Sequence, residues 1–267
     1  MHAPTRQLPP LEALFAYAVA LASIVIVAPA MYMWLGLSAM VVVQLLCIAG
    51  PAAIAAGVRS ETITGAAALL GIRRVRARAL LGAVLVGSSF WFVNLQLVAP
   101  LADRYLHGRD LVRSLDHSLL AGGLPLWLII AIVSVMPALC EELLMRGGLC
   151  RALRVRLGPA GAVGLSALLF GVTHLHPAHM ATTGAFGLVL GAACLATDSV
   201  LPGMLMHFLN NVLVLIVGAE VIPAATRSLH TFPLMWGLIC GFLCVCGGLL
   251  IWSGGRGATS PPAERPW

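Results

Sequence analysis

The chain has 267 residues, of which 60% are hydrophobic and only 10% are charged. Soluble domains carry about 25% charged residues, so this composition excludes an ordinary water-soluble globule. All 16 basic residues are arginines and the net charge is +6, but the arginines stand in short segments between apolar runs. That pattern marks membrane topology, so we predict a lipid bilayer as the partner and no nucleic acid.

Apolar runs of about 20 residues follow one another along the chain. A helix of that length crosses a hydrocarbon core about 30 Å thick, because it rises about 1.5 Å per residue. The runs lack the two-residue alternation of a membrane barrel strand. We predict an all-α fold, a polytopic membrane helix bundle of about eight transmembrane helices. The predicted spans are 11–34, 38–58, 79–101, 124–146, 160–176, 180–197, 200–218 and 232–252.

The segments around these spans predict domains and topology. Residues 1–123 would form N-terminal transmembrane helices and an external loop at 102–123. Residues 124–252 would form a second helix bundle, and 253–267, rich in Gly and Pro, a disordered tail. Eight spans place eleven arginines on one side of the membrane and four on the other. The positive-inside rule then predicts a multi-pass protein of the cell inner (plasma) membrane with both termini cytoplasmic.

The fourth run carries three charged residues, Glu141, Glu142 and Arg146. Each costs about 2.5–3.5 kcal/mol near a helix centre, so such residues face a bundle interior and often mark function. Glu142 and Arg146 are four residues apart and can pair on one helix face. Glu141 lies about 100° around the helix, has no partner there and is a candidate general base. The alternative is a helix end at which the charges meet the headgroups.

Two further runs contain polar residues at helical spacing. The fifth has His174 one turn after Phe170, and the seventh has His207 and Asn211 on one face. Taken alone, the polar residues of either run are typical of helix packing or of interhelical hydrogen bonds. Together with the glutamates they form a set with catalytic chemistry. A Glu and a His can hold and deprotonate a water, while a second His and an Asn can donate to an oxyanion.

Three motifs carry a resemblance to a known family. EELLMR at 141–146 matches EExxxR, FGVTH at 170–174 matches FxxxH, and HFLNN at 207–211 matches HxxxN. In the order and spacing of these motifs, the chain resembles the CAAX protease and bacteriocin-processing (CPBP) intramembrane proteases over roughly residues 124–217. This resemblance implies a catalytic helix bundle there. Glu141 would activate a water with help from His174.

The resemblance also implies roles for the remaining residues. Glu142, held by Arg146, would be structural or would assist at the water. His207 and Asn211 would bind the oxyanion, and Phe170 would pack beside the site.

Members of this family have been described both as glutamate-dependent and as metal-dependent. The chain has no HExxH motif that would put metal ligands and base on one helix. We therefore favour a mechanism without a metal or another cofactor. The alternative is zinc held by His174, His207 and a Glu.

The implied function is an intramembrane endopeptidase that cuts a membrane-anchored protein or peptide substrate, of the CAAX type or at a C-terminal sorting tail. The lysine-free, arginine-rich composition is typical of a high-GC bacterium and favours the sorting tail. Two other functions stay open. A membrane transporter or channel would use the polar cluster as an ion path, and a non-catalytic bacteriocin-immunity or scaffold protein would keep only the fold.

The glutamates and His174 must lie close together to act on one water, but the predicted spans place them far apart. They place the glutamates near the cytoplasmic end of the fourth helix and His174 near the outer end of the fifth. Either the fourth helix continues to about residue 156, or the predicted boundaries are wrong.

Overall fold

The computed structural model describes residues 7–106 and 123–255, and in these ranges it contains helices and no strand. The predicted all-α helix bundle is therefore confirmed. The helices are α1 Pro10–Leu35, α2 Ser38–Val58, α3 Ile63–Leu69, α4 Ala77–Leu106, α5 126–157, α6 159–172, α7 Pro177–Thr197, α8 Leu201–Gly218, α9 Pro223–Thr231 and α10 Pro233–Gly255.

Within the described ranges, seven helical runs are long and apolar enough to cross a membrane, and the chain is a multi-pass membrane protein. One of the seven, Leu126–Val172, has 47 residues and is broken by Gly158. This glycine has φ 68° and ψ 177°, a conformation that is accessible almost only to glycine. Pro159 follows at the start of α6, where its missing N–H removes no helical hydrogen bond.

The predicted end of the fourth span at residue 146 is wrong, because α5 continues to residue 157. Arg146, Gly147 and Gly148 resemble a helix end in sequence, but all three are buried. Gly147 leaves room for the carbonyl oxygen of Leu70, which lies 2.5 Å from where a Cβ would stand. The charged and glycine-rich stretch is an interhelical contact, so the alternative in which the helix continues to about residue 156 is correct.

Two predicted loop boundaries also move. Helix α4 reaches Leu106, so residues 102–106 are helical, and residues 107–122 lie outside the described ranges. Helix α10 reaches Gly255, so a disordered tail starting at residue 253 is wrong for its first three residues. A Cβ on Gly254 would lie 2.8 Å from the Cβ of Ala79. The glycine that suggested disorder instead permits close packing, and the remaining tail lies outside the described residues.

Helices α5 and α6 form an antiparallel pair that turns at Gly158. The guanidinium carbon of Arg146 lies 4.3 Å from the ring centroid of Phe170, and each of these residues is 12 positions from Gly158. Equal counts along two helices reach equal heights. Glu142 and His174 are each 16 positions from the same turn. The hairpin therefore brings the glutamates and His174 to one level.

The other helices surround this hairpin. Helix α7 packs on α6, and α8 contacts α4, α5 and α7. Small residues permit these contacts, as is usual between membrane helices: a Cβ on Gly171 would lie 2.6 Å from the carbonyl oxygen of Met180. Helices α1 and α2 cover the opposite side of α5. The hydroxyl of Tyr17 in α1 donates to the carbonyl of Leu169 in α6 at 2.9 Å.

Candidate active site

One half of the site is closed and centred on Glu142. The Oε1 atom of Glu142 accepts from Arg146 Nη1 at 2.8 Å, and both side chains are 0% exposed. This confirms the predicted pair. The same oxygen lies 3.0 Å from Nδ1 of His207, which is 5% exposed. We call Glu142, Arg146 and His207 the closed half.

Arg146 is held by more than its carboxylate partner. Its Nη2 donates to the carbonyl of Gly187 at 3.3 Å, and its guanidinium lies over the face of Phe170. The Phe170 ring centroid is 5.2 Å from that of His174 and 5.9 Å from that of His207. Phe170 thus packs between the polar side chains, as the family resemblance implied.

Helix α8 reaches Glu142 because residue 203 is a glycine. A Cβ at Gly203 would lie 2.9 Å from Oε2 of Glu142, which is closer than real Cβ contacts. The missing side chain lets α8 approach closely enough for His207, one turn further along, to bond Glu142.

The other half of the site borders a cleft of about 340 Å³ between α1, α2, α5 and α6. Glu141 and His174 both line it. Oε1 of Glu141 accepts from Nε2 of Gln44 at 2.9 Å, and Oε2 is 3.9 Å from Nε2 of His207. Glu141 has no partner on its own helix, as predicted, but α2 supplies one. We call Glu141, His174 and Gln44 the cleft half.

The tautomer of His174 follows from its neighbour. Its Nδ1 lies 3.1 Å from the carbonyl oxygen of Phe170. A carbonyl can only accept, so Nδ1 carries the hydrogen, and a neutral ring then has its lone pair at Nε2. In this form His174 offers a hydrogen-bond acceptor at Nε2, so Glu141 and His174 bring two acceptors to the same cleft.

The side chain of Asn211 forms its hydrogen bonds with residues outside both halves of the site. Its Nδ2 donates to the carbonyl of Val133 at 3.4 Å, and its Oδ1 accepts from Asn210 at 3.3 Å. The structure thus brings five of the six predicted site residues together and places Asn211 one helical turn beyond His207.

Sequence reasoning missed Gln44, which is 8% exposed and lines the cleft. The available signal was a lone amide inside the apolar run VVVQLLC, because a buried amide needs a partner. It also missed Gly203, for which spacing gives no signal.

The alternative of zinc held by His174, His207 and a Glu gains no support from the side-chain geometry of the described residues. Among the residues that the structure describes, no group of three or more His, Cys, Asp or Glu side chains is arranged to hold a metal ion. Oε1 of Glu142, the glutamate nearest to His207, already accepts from Arg146.

Residues 123–213 match the model of the family described as type II CAAX prenyl endopeptidase Rce1-like. This segment is therefore similar to that family, and we call residues 123–213 the Rce1-like segment. The suspected resemblance is thereby confirmed, and the Rce1-like segment contains Glu141, His174 and His207. It ends before α9, and α1–α4 lie outside it. Comparisons with curated proteins and with solved structures gave no match.

The Rce1-like match supports a CAAX-type intramembrane protease in general. Such a protease acts on a membrane-associated substrate in a lipid bilayer. Both statements agree with a site that is surrounded by apolar helices and borders a cleft.

Proposed function

We propose that the chain is an intramembrane endopeptidase in which Glu141 is the general base. The observation that carries this proposal is the unequal state of the two glutamates. Glu142 is fully buried and shares one oxygen between Arg146 and His207, whereas Glu141 borders the cleft. A base must reach the proton that it abstracts, and only Glu141 faces space that a substrate and a water can enter.

Glu141 and His174 together can hold the attacking water. The carboxylate and Nε2 of His174 are both acceptors, so each can take one of the two hydrogens of a single water. The water proton passes to Glu141 as the oxygen attacks the substrate carbonyl carbon. When the C–N bond breaks, Glu141 returns that proton to the leaving amine. This is ordinary general acid–base catalysis of amide hydrolysis.

His207 is the proposed donor to the oxyanion. Its Nδ1 faces Glu142 and its Nε2 faces Glu141, so a protonated ring carries a donor at Nε2. Together with Arg146 it would also balance the charge of the two carboxylates. The family resemblance implies Asn211 as a second donor, and its amide would have to turn towards His207 to act as one. Only one of its two amide N–H groups is used in its contact with Val133.

The substrate is proposed to be a membrane-anchored protein or peptide with a CAAX-type end or a C-terminal sorting tail. The cleft supports this choice, because most of its lining residues are apolar and would accept an apolar chain end. We further propose the cell inner membrane as the location, with both termini cytoplasmic, because the arginine distribution favours that side.

Cleavage of membrane-anchored peptides by purified protein tests this function. The panel contains prenylated CAAX peptides and peptides with a hydrophobic C-terminal tail. We expect Glu141→Gln to lower the rate at least 100-fold, the range of lost acid–base catalysis, without lowering Tm. The matched control is Glu220→Gln, an exposed residue that should cleave like wild type. Unchanged turnover by Glu141→Gln would reject Glu141 as the base.

A transporter or a non-catalytic scaffold makes different predictions. A transporter would show solute flux in liposomes without peptide cleavage. A scaffold would keep its cellular phenotype after His174→Gln or His207→Gln.

A further inference from the structure

Gln44 lies outside the Rce1-like segment, in the N-terminal half of the chain. It belongs to α2, where Val43–Ala49 forms a π-helical turn. Such turns are rare and occur frequently at functional sites. This turn packs against the Met136–Glu142 part of α5. A residue remote in sequence is therefore set directly beside Glu141.

The orientation of the Gln44 amide follows from its partner. An ionised carboxylate can only accept, so the amide nitrogen must be the atom that faces Oε1 of Glu141, at 2.9 Å. The amide oxygen then faces the other way. Oε1 of Gln44 is buried and has no hydrogen-bond partner among the described residues, although a buried acceptor without a partner is costly.

The unpartnered oxygen belongs to a side chain that lines the cleft. A peptide that enters an apolar cleft in extended form must find partners for its backbone N–H groups, because no lipid group supplies them. The cleft walls around Gln44 are mostly apolar, with Val43, Ile48 and Leu144 as neighbours in the lining. The amide oxygen of Gln44 is an acceptor of the kind that such a peptide needs.

We infer that Gln44 holds Glu141 in place through its amide N–H and binds a main-chain N–H of the substrate peptide through its amide oxygen. This inference rests on the proposed function. It makes the N-terminal helices part of the active site, and it predicts that the Rce1-like segment alone forms an incomplete site.

The first test is Gln44→Met, which keeps the side-chain length and removes both polar atoms. We expect kcat to fall about 10- to 100-fold, since misplacing a reacting group by about 1 Å can cost 100-fold. We also expect KM to rise, because the substrate N–H loses its acceptor. The matched control is Gln96→Met, the same change at an exposed position of α4, which should leave kcat, KM and Tm unchanged. Both variants are assayed with the peptide that wild type cleaves.

The second test is Gln44→Glu, which distinguishes a positioning role from a packing role. A carboxyl at this position can donate to Glu141 only when it is protonated. We expect the pH optimum of cleavage to move to lower pH than in wild type. A residue that only fills space would leave the optimum unchanged.

The outcomes separate this inference from the proposed function. If Glu141→Gln is inactive while Gln44→Met keeps wild-type kcat and KM, the inference about Gln44 is wrong and the function stands. A fall in kcat with unchanged KM would reject the contact with the substrate N–H. If Glu141→Gln cleaves normally, the assignment of the base itself fails.

Discussion

Glu141 and Glu142 are neighbours in sequence, yet the closed half and the cleft half of the site differ sharply. In the closed half, Glu142 and Arg146 are 0% exposed, and one carboxylate oxygen serves both Arg146 and His207. In the cleft half, Glu141 is 16% exposed and shares a cleft with His174. Successive residues of a helix point about 100° apart. This rotation is enough to bury Glu142 between helices while Glu141 borders the cleft.

The difference in exposure between the two halves indicates that one half stabilises the fold and the other binds substrate. The closed half holds α5 and α8 at fixed positions through buried charges that pair with each other. The cleft half keeps hydrogen-bond acceptors at a surface that substrate can reach. Changes at Glu142 and Arg146 should therefore affect stability first, and changes in the cleft half should affect turnover first.

Arg146→Met should have the largest effect. It leaves the carboxylate of Glu142 buried without its counter-charge, and breaking a buried pair typically costs about 3–5 kcal/mol. Thermal unfolding in detergent should show a large loss of Tm or no folded protein. Arg154→Met, on the exposed side of the same helix, should unfold like wild type. Equal stability of the two variants would contradict the closed half as the structural half.

His174→Gln should separate turnover from stability. It replaces the ring acceptor at Nε2 with a flexible amide that holds the water less well, and we expect about a 100-fold fall in kcat. Tm should stay near the wild-type value, because the ring lies in the cleft half. His230→Gln, an exposed histidine of α9, provides the control. A stability loss as large as that of Arg146→Met would remove the distinction between the halves.

The pairings within one helix or one hairpin were accessible from sequence, because spacing determines them. Glu142 and Arg146 are four residues apart and pair as predicted. Contacts between distant segments were not accessible. Gln44 is 97 residues from Glu141, and no periodicity connects them. The helix end was misplaced for a related reason: a charged, glycine-rich stretch reads as a boundary unless the helices that bury it are known.

Gly203→Ala probes how closely α8 must approach the closed half. The added Cβ would lie 2.9 Å from Oε2 of Glu142, and overpacking of this kind costs about 1–3 kcal/mol. Unfolding in detergent should show the loss. The control is Gly164→Ala in α6, where nothing lies within 4 Å of the added atom. That variant should be as stable as wild type or slightly more stable, since alanine favours helix.

Tyr17→Phe should have the smallest effect. It removes the hydrogen bond from α1 to the carbonyl of Leu169, and one such bond contributes about 0.5–1.5 kcal/mol. Because Leu169 is on α6, the helix that leads into the turn with His174, a small fall in turnover should accompany the lower Tm. Tyr105→Phe, at a 69% exposed position, should change neither quantity. A wild-type Tm for Tyr17→Phe would show that this bond does not stabilise the cleft wall.

The turn at Gly158 has a consequence for how the sequence can vary. Distances along both arms of the hairpin are counted from this one residue, so the two arms tolerate substitutions but not changes in length. Inserting a single residue between Glu142 and Gly158 would rotate both glutamates by about 100° and displace them by about 1.5 Å. A compensating insertion between Gly158 and His174 would bring His174 back to the height of the glutamates. The side chains would still point in changed directions, because each insertion also rotates its helix by about 100°. We therefore expect homologous chains to differ in length before Leu126 or after His174, while the spacing from Glu141 through Gly158 to His174 stays constant.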